Sequence, residues 1–312
     1  DHIGDLLYNS ASLEVLARGL PQCEWHYLAN SPGADALVNN PSIKSCVSSL
    51  AALGPVDVAL CYNSGGYWRD LARVTRAGTP NRVGYTHKGF SALVTHPIQI
   101  RHPQPFPAYF RDLVAQLTER EPDWSLRPQV FSMPADEERA DELWQELKLD
   151  NSQPVLACFV TSRQLSGVLP VDRYAAAIAH IEKHSSAQTI LLGAPFDGPL
   201  LGETKNRFNL RAQVAAGKLG LLPLVSFLRR CSAVFCTDSG PRHLANAAGV
   251  PPIYYRNISF SKVEAGSYCE GEVDLAPDLE FVRAGVQKKI FDQVDTAQMA
   301  ERVLAVLANQ RT

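Results

Sequence analysis

The stretch AVFCTDSGPRHLANAAGVPPIYYRN, residues 233–257, contains a complete strand–loop–helix–strand unit. Its first four residues, 233–236, are apolar, and the run is short enough for a buried strand. A polar turn at 237–240 precedes Pro241, a residue that is favoured in the first turn of a helix. Gly249 is a typical helix terminator, and a second apolar run follows the two prolines. The stretch therefore predicts one βαβ unit in a parallel sheet.

The polar turn is the candidate binding site. Backbone N–H groups at the start of a helix lack partners, and the helix dipole is positive there, so both favour an anion such as phosphate. Asp238 and Ser239 are also good helix-capping residues, so a purely structural role is the alternative. Open α/β sheets bind ligands at the carboxyl ends of their strands. We therefore interpret the turn as a phosphate site.

The same residues carry a resemblance to a known family. The run TDSGPRHLA at 237–245, followed by AAGVP at 247–251, resembles the D-[ST]-G-x-x-H-L-A-A-A-L-G-x-P signature of glycosyltransferase family 9. These are the ADP-heptose:lipopolysaccharide heptosyltransferases. The resemblance implies an α/β protein of the GT-B type, in which two Rossmann-like parallel-sheet domains face a central cleft.

The resemblance also implies an activity. It is inverting transfer of a heptose-like sugar from a nucleotide diphosphate donor to a lipopolysaccharide-type, lipid-linked or other saccharide acceptor. No metal and no cofactor are expected beyond the nucleotide-sugar co-substrate, for which ADP-heptose is one candidate.

Several residues match positions with known roles in that family. Asp5, at the amino end of a predicted helix, matches the proposed catalytic base, although a helix cap is the alternative. His2 is a second candidate base. Thr161 and Ser162 match a hydroxyl pair that contacts donor phosphate, or else they cap a turn. His243 is a phosphate or sugar contact, or a packed structural histidine. The candidate donor-binding residues are Thr161, Ser162, Arg163, Thr237, Asp238, Ser239, Gly240 and His243.

The sequence departs from the family pattern at two places. Family members usually carry a lysine before Trp-Pro, whereas residues 165–170 read LSGVLP. An acidic residue is expected ahead of the last βαβ unit, where residues 222–224 read LPL. Arg163, Arg242 or Lys262 could supply the missing positive charge. These departures keep a second hypothesis open, a catalytically degenerate nucleotide-sugar-binding protein, and a hydrolase or epimerase of related architecture is a third.

Strands and helices alternate in two halves of the chain, which predicts two domains. The polar residues 150–153 predict the boundary, with an acceptor-side domain over 1–150 and a nucleotide-sugar-binding domain over 151–312. Because the chain starts directly at a Gly4-Asp5 helix, we expect the first strand of the first domain to be missing. Residues 87–107 lack a clean period and predict a long loop, either over the acceptor region or as an ordinary surface excursion.

Composition narrows the function classes. The formal net charge of −2 gives no reason to expect nucleic-acid binding. No apolar run is long enough to cross a bilayer and no signal peptide is recognisable, so we expect a cytoplasmic protein with at most peripheral contact at the inner face of the inner membrane. The seven cysteines are scattered without a C-x-x-C pair, which predicts buried thiols and neither a disulfide framework nor a zinc site.

Overall fold

The structure is a computed structural model that describes residues 3–30, 33–61, 67–86, 91–99, 101, 103–163 and 166–309. The chain divides into two compact units, Asp1–Phe131 and Ser132–Thr312. None of the helices in the described part combines the length and the apolar character that crossing a bilayer needs. All seven cysteines are free thiols.

The first unit packs its helices against two small parallel sheets. The described helices are α1 (Ile3–Gly19), α2 (Tyr67–Arg76) and α3 (Phe106–Thr118). The described strands are β1 (His26–Leu28), β2 (Ser45–Val47), β3 (Val58–Cys61), β4 (Asn81–Tyr85) and β5 (His96–Ile98). Strand β1 pairs with β2, and β3, β4 and β5 form the second sheet in that order. Leucines of α1 pack on α3, and together they form much of this unit's core.

The second unit is a six-stranded sheet covered by helices. Its strands are β6 (Val155–Phe159), β7 (Gln188–Leu191), β8 (Gln213–Val214), β9 (Ala233–Thr237), β10 (Pro252–Tyr255) and β11 (Val273–Asp274). Its helices are α4 (Pro134–Glu146), α5 (Val171–His184), α6 (Gly198–Arg207), α7 (Leu221–Leu228), α8 (Gly240–Ala248), α9 (Lys262–Ala265), α10 (Ala284–Asp292) and α11 (Thr296–Asn309).

The strand order in this sheet is β11-β10-β9-β6-β7-β8, with every pair parallel. The chain runs outward from β6 to β8, then returns to β9 and runs outward on the other side. The strand order therefore reverses between β6 and β9. Open α/β sheets bind ligands in the crevice at the carboxyl ends of two such strands. All ten residues of these two strands are buried, as expected for a parallel sheet with helices on both faces. The predicted α/β class with parallel sheets is confirmed.

The domain boundary differs from the predicted one. We placed it at residue 150, whereas the compact units meet between Phe131 and Ser132. The reason is α4, which packs on α7 of the second unit. Its Trp144 ring lies 5.4 Å from the ring of Phe227, and both residues are buried. The polar residues 150–153 form a turn before β6 inside the second unit.

One shorter element also differs from the sequence prediction. The segment 87–107 is not a continuous loop, because β5 lies within it and pairs with β4. Pairing with a neighbouring strand selects these residues, and the local pattern alone carries little strand signal.

We predict that α4 is an integral part of the second unit. A fragment of residues 132–312 should unfold cooperatively. The free energy of unfolding of a fragment of residues 151–312 should be lower by about 3 kcal/mol or more, because this fragment lacks the buried tryptophan of α4 and its apolar contact. Denaturant unfolding followed by circular dichroism measures both. Equal stability of the two fragments would contradict the boundary at 131.

Candidate functional site

The candidate site lies where β6 and β9 run side by side. Thr237, the last residue of β9, is fully buried, and its Oγ1 donates a hydrogen bond to the carbonyl of Thr161 at 3.3 Å. The hydroxyl of Ser239 lies 2.8 Å from the same Oγ1. Because Thr237 has a single hydroxyl proton and gives it to Thr161, Ser239 donates in this pair. The loops that follow the two strands are thereby joined.

Ser239 is the N-cap residue of α8, yet its side chain makes no capping hydrogen bond. Its hydroxyl is turned towards Thr237, away from the N–H groups of the first turn. Pro241 has no N–H, and the N–H of Arg242 donates to the carbonyl of Ser239 at 3.0 Å. Gly240 therefore supplies the first-turn N–H that has no partner within the helix, and this N–H favours an anion. The predicted arrangement of strand, polar turn and helix is confirmed, although the helix begins one residue before Pro241.

Asp238 does not cap the helix, which corrects one of the two predicted capping roles. Its Oδ1 accepts a hydrogen bond from Nη1 of Arg242 at 2.8 Å. Its Oδ2 accepts one from the backbone N–H of Asn257 at 3.0 Å. The carboxylate therefore links the start of α8 to the segment that follows β10, and its oxygens are engaged within the protein.

Arg242 is buried with every donor satisfied. The side chain is 1% exposed, and Nε and Nη2 bind the two oxygens of Glu272 at 3.0 and 2.8 Å. Nη1 binds Asp238 and the carbonyl of Ala265, the latter at 2.7 Å. Nη2 also binds the carbonyl of Gly266 at 2.6 Å. The five N–H groups of the guanidinium thus meet five acceptors, so Arg242 cannot replace the missing family lysine as a phosphate ligand.

Glu272 completes this network, and its side chain is fully buried. Besides Arg242, it accepts hydrogen bonds from Nδ2 of Asn246 at 2.5 Å and from the backbone N–H of Tyr268 at 2.8 Å. Sequence reasoning missed it, because a glutamate in the run CEGE at 269–272 has the signature of an exposed loop. Only its contacts, which are 26 and 30 residues away in the chain, give it a role.

His243 is also buried, at 3% exposure. Its Nδ1 lies 2.6 Å from the hydroxyl of Tyr268. Burial, together with the positive charge of Arg242, lowers the pKa of His243 well below its ordinary value of 6.5. The imidazole is therefore neutral at pH 7 and can exchange hydrogen bonds, but it brings no positive charge to a phosphate. Its contact with a donor stays a prediction.

The remaining predicted donor residues follow β6. Thr161 and Ser162 are half-buried, and Arg163 is exposed. The guanidinium carbon of Arg163 lies 5.1 Å from the centre of the Phe196 ring. Lys262, another candidate for the missing charge, is paired at the surface with Asp278 at 2.7 Å.

The candidate base Asp5 belongs to the first unit. It lies in the first turn of α1, as the sequence predicts, and is partly buried. A carboxylate is stabilised by the dipole at that end of a helix, which fits both the base and the capping interpretation. His2, the second candidate base, lies outside the described residues.

The segment that departs from the family pattern is described by the structure from residue 166 onward, and this part is held by hydrogen bonds. Gly167 has φ of +76°, and a Cβ there would lie 1.9 Å from Oδ1 of Asn257, so only glycine fits. Its N–H donates to Gln287 at 2.9 Å, and Asn257 donates to the carbonyl of Ser166 at 3.2 Å. The loop after β6 is thus fastened to the segment after β10.

Several solved structures that resemble this chain are glycosyltransferases. A glycosyl transferase family 9 protein from Veillonella parvula matches with a TM-score of 0.84 and 17% identity, covering 99% of this chain and 95% of its own. ADP-heptose lps heptosyltransferase II of E. coli matches with a TM-score of 0.77 and 15% identity, covering 100% and 98%. At these identities the likeness shows the fold, which is of the GT-B type.

The family model of glycosyltransferase family 9 (heptosyltransferase) matches residues 61–255. The chain therefore belongs to glycosyltransferase family 9, and the predicted membership is confirmed. Comparison with curated protein sequences finds no match.

One similar structure bears on the metal prediction. It is the iron-containing dodecameric glycosyltransferase TibC from enterotoxigenic E. coli, with a TM-score of 0.58 and 16% identity, covering 100% of this chain and 75% of its own. Across the part of this chain that the structure describes, no three His, Cys, Asp or Glu side chains are grouped so as to hold a metal ion. Metal independence stays a prediction.

Removal of Glu272 should destabilise the protein strongly. In Glu272→Ala, the buried guanidinium loses its bidentate partner, and two further N–H groups lose their acceptor, which we expect to cost about 3–5 kcal/mol. Denaturant unfolding measures the loss. Asp278→Ala is the matched control. It breaks the exposed ion pair of Asp278 with Lys262 and should leave the free energy of unfolding unchanged. Similar stability of the two variants would refute the anchoring role.

The buried His243 should make stability depend on pH. Between its lowered pKa in the folded protein and the ordinary value of 6.5, only the unfolded chain binds the proton. The free energy of unfolding should therefore fall as the pH is lowered below 6.5. His243→Gln lacks this titration, and its stability should fall less steeply from pH 7 to pH 5. Equal slopes for wild type and variant would show that His243 is protonated in the folded state.

Proposed function

We propose that the protein is an inverting glycosyltransferase that moves a heptose-like sugar from a nucleotide diphosphate donor to a lipopolysaccharide-type or other saccharide acceptor. Family membership supports glycosyl transfer in general. The observation that carries the specific proposal is the uncapped start of α8 at the switch point between β6 and β9. There the hydroxyl of Ser239 is directed to Thr237, so it leaves the N–H of Gly240 to a diphosphate.

The donor diphosphate would be held at that point by three kinds of group. The N–H of Gly240 and the positive end of the α8 dipole favour its charge. The hydroxyls of Thr161 and Ser162 can donate to its oxygens, and Arg163 is a nearby cation. An ADP-heptose-like donor is supported by E. coli heptosyltransferase WaaC, a similar structure at 15% identity and a TM-score of 0.64 that is described with ADP-2-deoxy-2-fluoro heptose.

In the proposed reaction, the carboxylate of Asp5 takes the proton of the acceptor hydroxyl. The acceptor oxygen forms a bond to the anomeric carbon as the bond from that carbon to the donor diphosphate breaks. Attack opposite the leaving group inverts the configuration. The nucleoside diphosphate leaves with the bonding electrons, and its growing charge is stabilised by the fixed dipole of α8 and by Arg163. We propose that no metal takes part.

The acceptor and the location are proposals on the same basis. A lipid-linked saccharide would be met at the cytoplasmic face of the inner membrane, with the protein attached peripherally at most. Nucleic acid is not a proposed partner, since the net charge is −2.

A nucleotide-sugar-binding protein without turnover is the second candidate. The observation that favours it is the sequestered charge of Arg242, together with the Gly167 loop in which no lysine stands. Fewer cations around the diphosphate mean less stabilisation of the leaving group. In that case the donor would bind but would not be consumed.

The test is release of nucleoside diphosphate from a panel of nucleotide sugars, with and without acceptor glycans. Acceptor-dependent release supports transfer, and binding without release supports the second candidate. We predict that Asp5→Asn lowers the transfer rate by about 100-fold or more, because its amide cannot accept the proton. Donor binding should match that of the wild type, because the amide is close in size to the carboxylate.

Asp172→Asn is the matched control for the Asp5 variant. Asp172 also lies in the first turn of a helix, α5, so the substitution reports on the loss of a carboxylate at a helix start. It should transfer sugar at the wild-type rate. An active Asp5→Asn enzyme would reject Asp5 as the base.

A further inference from the structure

Exposed apolar side chains cluster on two neighbouring segments of the second unit. Phe260 and Val263 lie just before α9 and inside it, and Phe281 and Val286 lie just before α10 and in its first turn. Phe281 is 62% exposed and Val286 is 50% exposed, so neither belongs to the hydrophobic core. We call these four residues the apolar patch. Contiguous apolar patches with a polar rim mark interaction sites on folded proteins.

Hydrogen bonds hold the two segments of the apolar patch together. The N–H of Val282 donates to the carbonyl of Ile258 at 2.8 Å. Nε2 of Gln287 donates to Oγ of Ser259 at 2.9 Å, and Gln287 is buried. The side chains of the patch are thus carried by a rigid support, and little ordering is needed when another surface covers them.

Positive charge predominates around the apolar patch. The exposed cations of α10 and of its N-cap are Arg283, Lys288 and Lys289. In the part of the chain that the structure describes, no carboxylate forms an ion pair with any of them. Glu280 offsets part of this charge, and the carboxylate of Asp278 is already paired with Lys262 at 2.7 Å. The cations outnumber the carboxylates, so the rim of the patch fits a negatively charged surface.

The helix α10 places an apolar group and a cation together. Lys289 follows Val286 by three residues, so the two side chains lie on the same side of the helix. Long cationic side chains can keep their charged ends in a polar layer while their stems and the neighbouring apolar groups enter an apolar one. The boundary between lipid headgroups and acyl chains offers both layers.

The apolar patch lies at the same edge of the sheet as the candidate site. Phe260 follows the end of β10 by five residues, and the carboxyl ends of parallel strands meet at one edge. The backbone N–H of Asn257, three residues before Phe260, donates to Asp238 in the turn before α8 at 3.0 Å. A surface that covers the patch therefore lies near the start of α8.

We propose that the apolar patch and its cations are a contact surface for an anionic lipid bilayer. The apolar side chains enter the boundary below the headgroups, and Arg283 and Lys289 pair with anionic headgroups. A second copy of this chain fits less well, because an isologous contact would bring the same cations together. The inference rests on the proposed function for its purpose, since a bilayer would carry the lipid-linked acceptor to the edge where the donor is held.

The experiment measures co-sedimentation of the full chain with vesicles. Vesicles of phosphatidylethanolamine and phosphatidylglycerol are anionic, and vesicles of phosphatidylcholine are neutral. The wild type should bind the anionic vesicles more tightly, and its binding should weaken as the salt concentration rises. The double variant Phe281→Ala, Val286→Ala should bind about tenfold or more weakly, because less apolar surface leaves water. The double variant Arg283→Gln, Lys289→Gln should lose about tenfold in binding to anionic vesicles.

Leu200→Ala and Lys183→Gln are the matched controls. Leu200 is an exposed apolar residue of α6 and Lys183 is an exposed cation of α5, and both lie outside the patch. Each control should bind vesicles as the wild type does. Circular dichroism melts verify that every variant is folded.

Equal vesicle binding by the wild type and the two double variants would refute the lipid contact. A wild type that ignores vesicles but forms dimers, which Phe281→Ala with Val286→Ala separates, would also refute it, because the occupant would be a second copy.

Release of nucleoside diphosphate with a water-soluble acceptor glycan tests the proposed function separately. The patch variants should keep this release at the wild-type rate, and its loss in them would assign the patch to the active site and refute a lipid contact. If the wild type binds anionic vesicles through the patch but shows no release with any acceptor, the lipid contact stands and the proposed transfer is refuted.

Discussion

The second unit depends on a buried positive charge. The guanidinium of Arg242 is buried away from water, which is unfavourable unless the charge is paired and every N–H group is hydrogen-bonded. Two carboxylates and two backbone carbonyls meet this requirement. The acceptors come from Asp238 directly after β9, from Ala265 and Gly266 at the end of α9, and from Glu272, so satisfying one side chain holds three separate segments in one arrangement. The ring of Tyr254, 3.8 Å from the guanidinium carbon, covers one face of it.

The contacts of Arg242 change the interpretation of the polar turn at residues 237–240. Asp238 binds Arg242 and Asn257, and His243 is buried beside Tyr268. The charged and titratable residues of the motif therefore make their contacts within the protein and stabilise the turn. The polar groups that remain for a ligand are the backbone N–H of Gly240 and side-chain hydroxyls. A surface of this kind binds an anion through fixed dipoles, which need no reorganisation when charge develops on a leaving group.

Much of the fold follows from local patterns. Apolar runs of four or five residues, punctuated by Gly and Pro, predict the strands of the second unit, and their alternation with helices predicts a parallel sheet. The turn at 237–240 and the helix after it are likewise readable from Pro241 and Gly249. The predictions that were wrong concern contacts with distant residues. The boundary at residue 150 failed because Trp144 is buried by Phe227, and β5 was missed because its strand character comes from pairing with β4.

The sequence by itself indicated the family, through the resemblance of residues 237–251 to its signature. It also predicted the α/β class and the place of the candidate site, because these follow from short-range rules of periodicity, turn chemistry and helix capping. Only the tertiary structure decided which polar residues face a ligand and which serve the fold. Arg242 and Glu272 are 30 residues apart, and nothing in their local sequence distinguishes a buried charge from an exposed one. The desolvation of a charged group is set by everything packed around it, and that is a property of the folded chain alone.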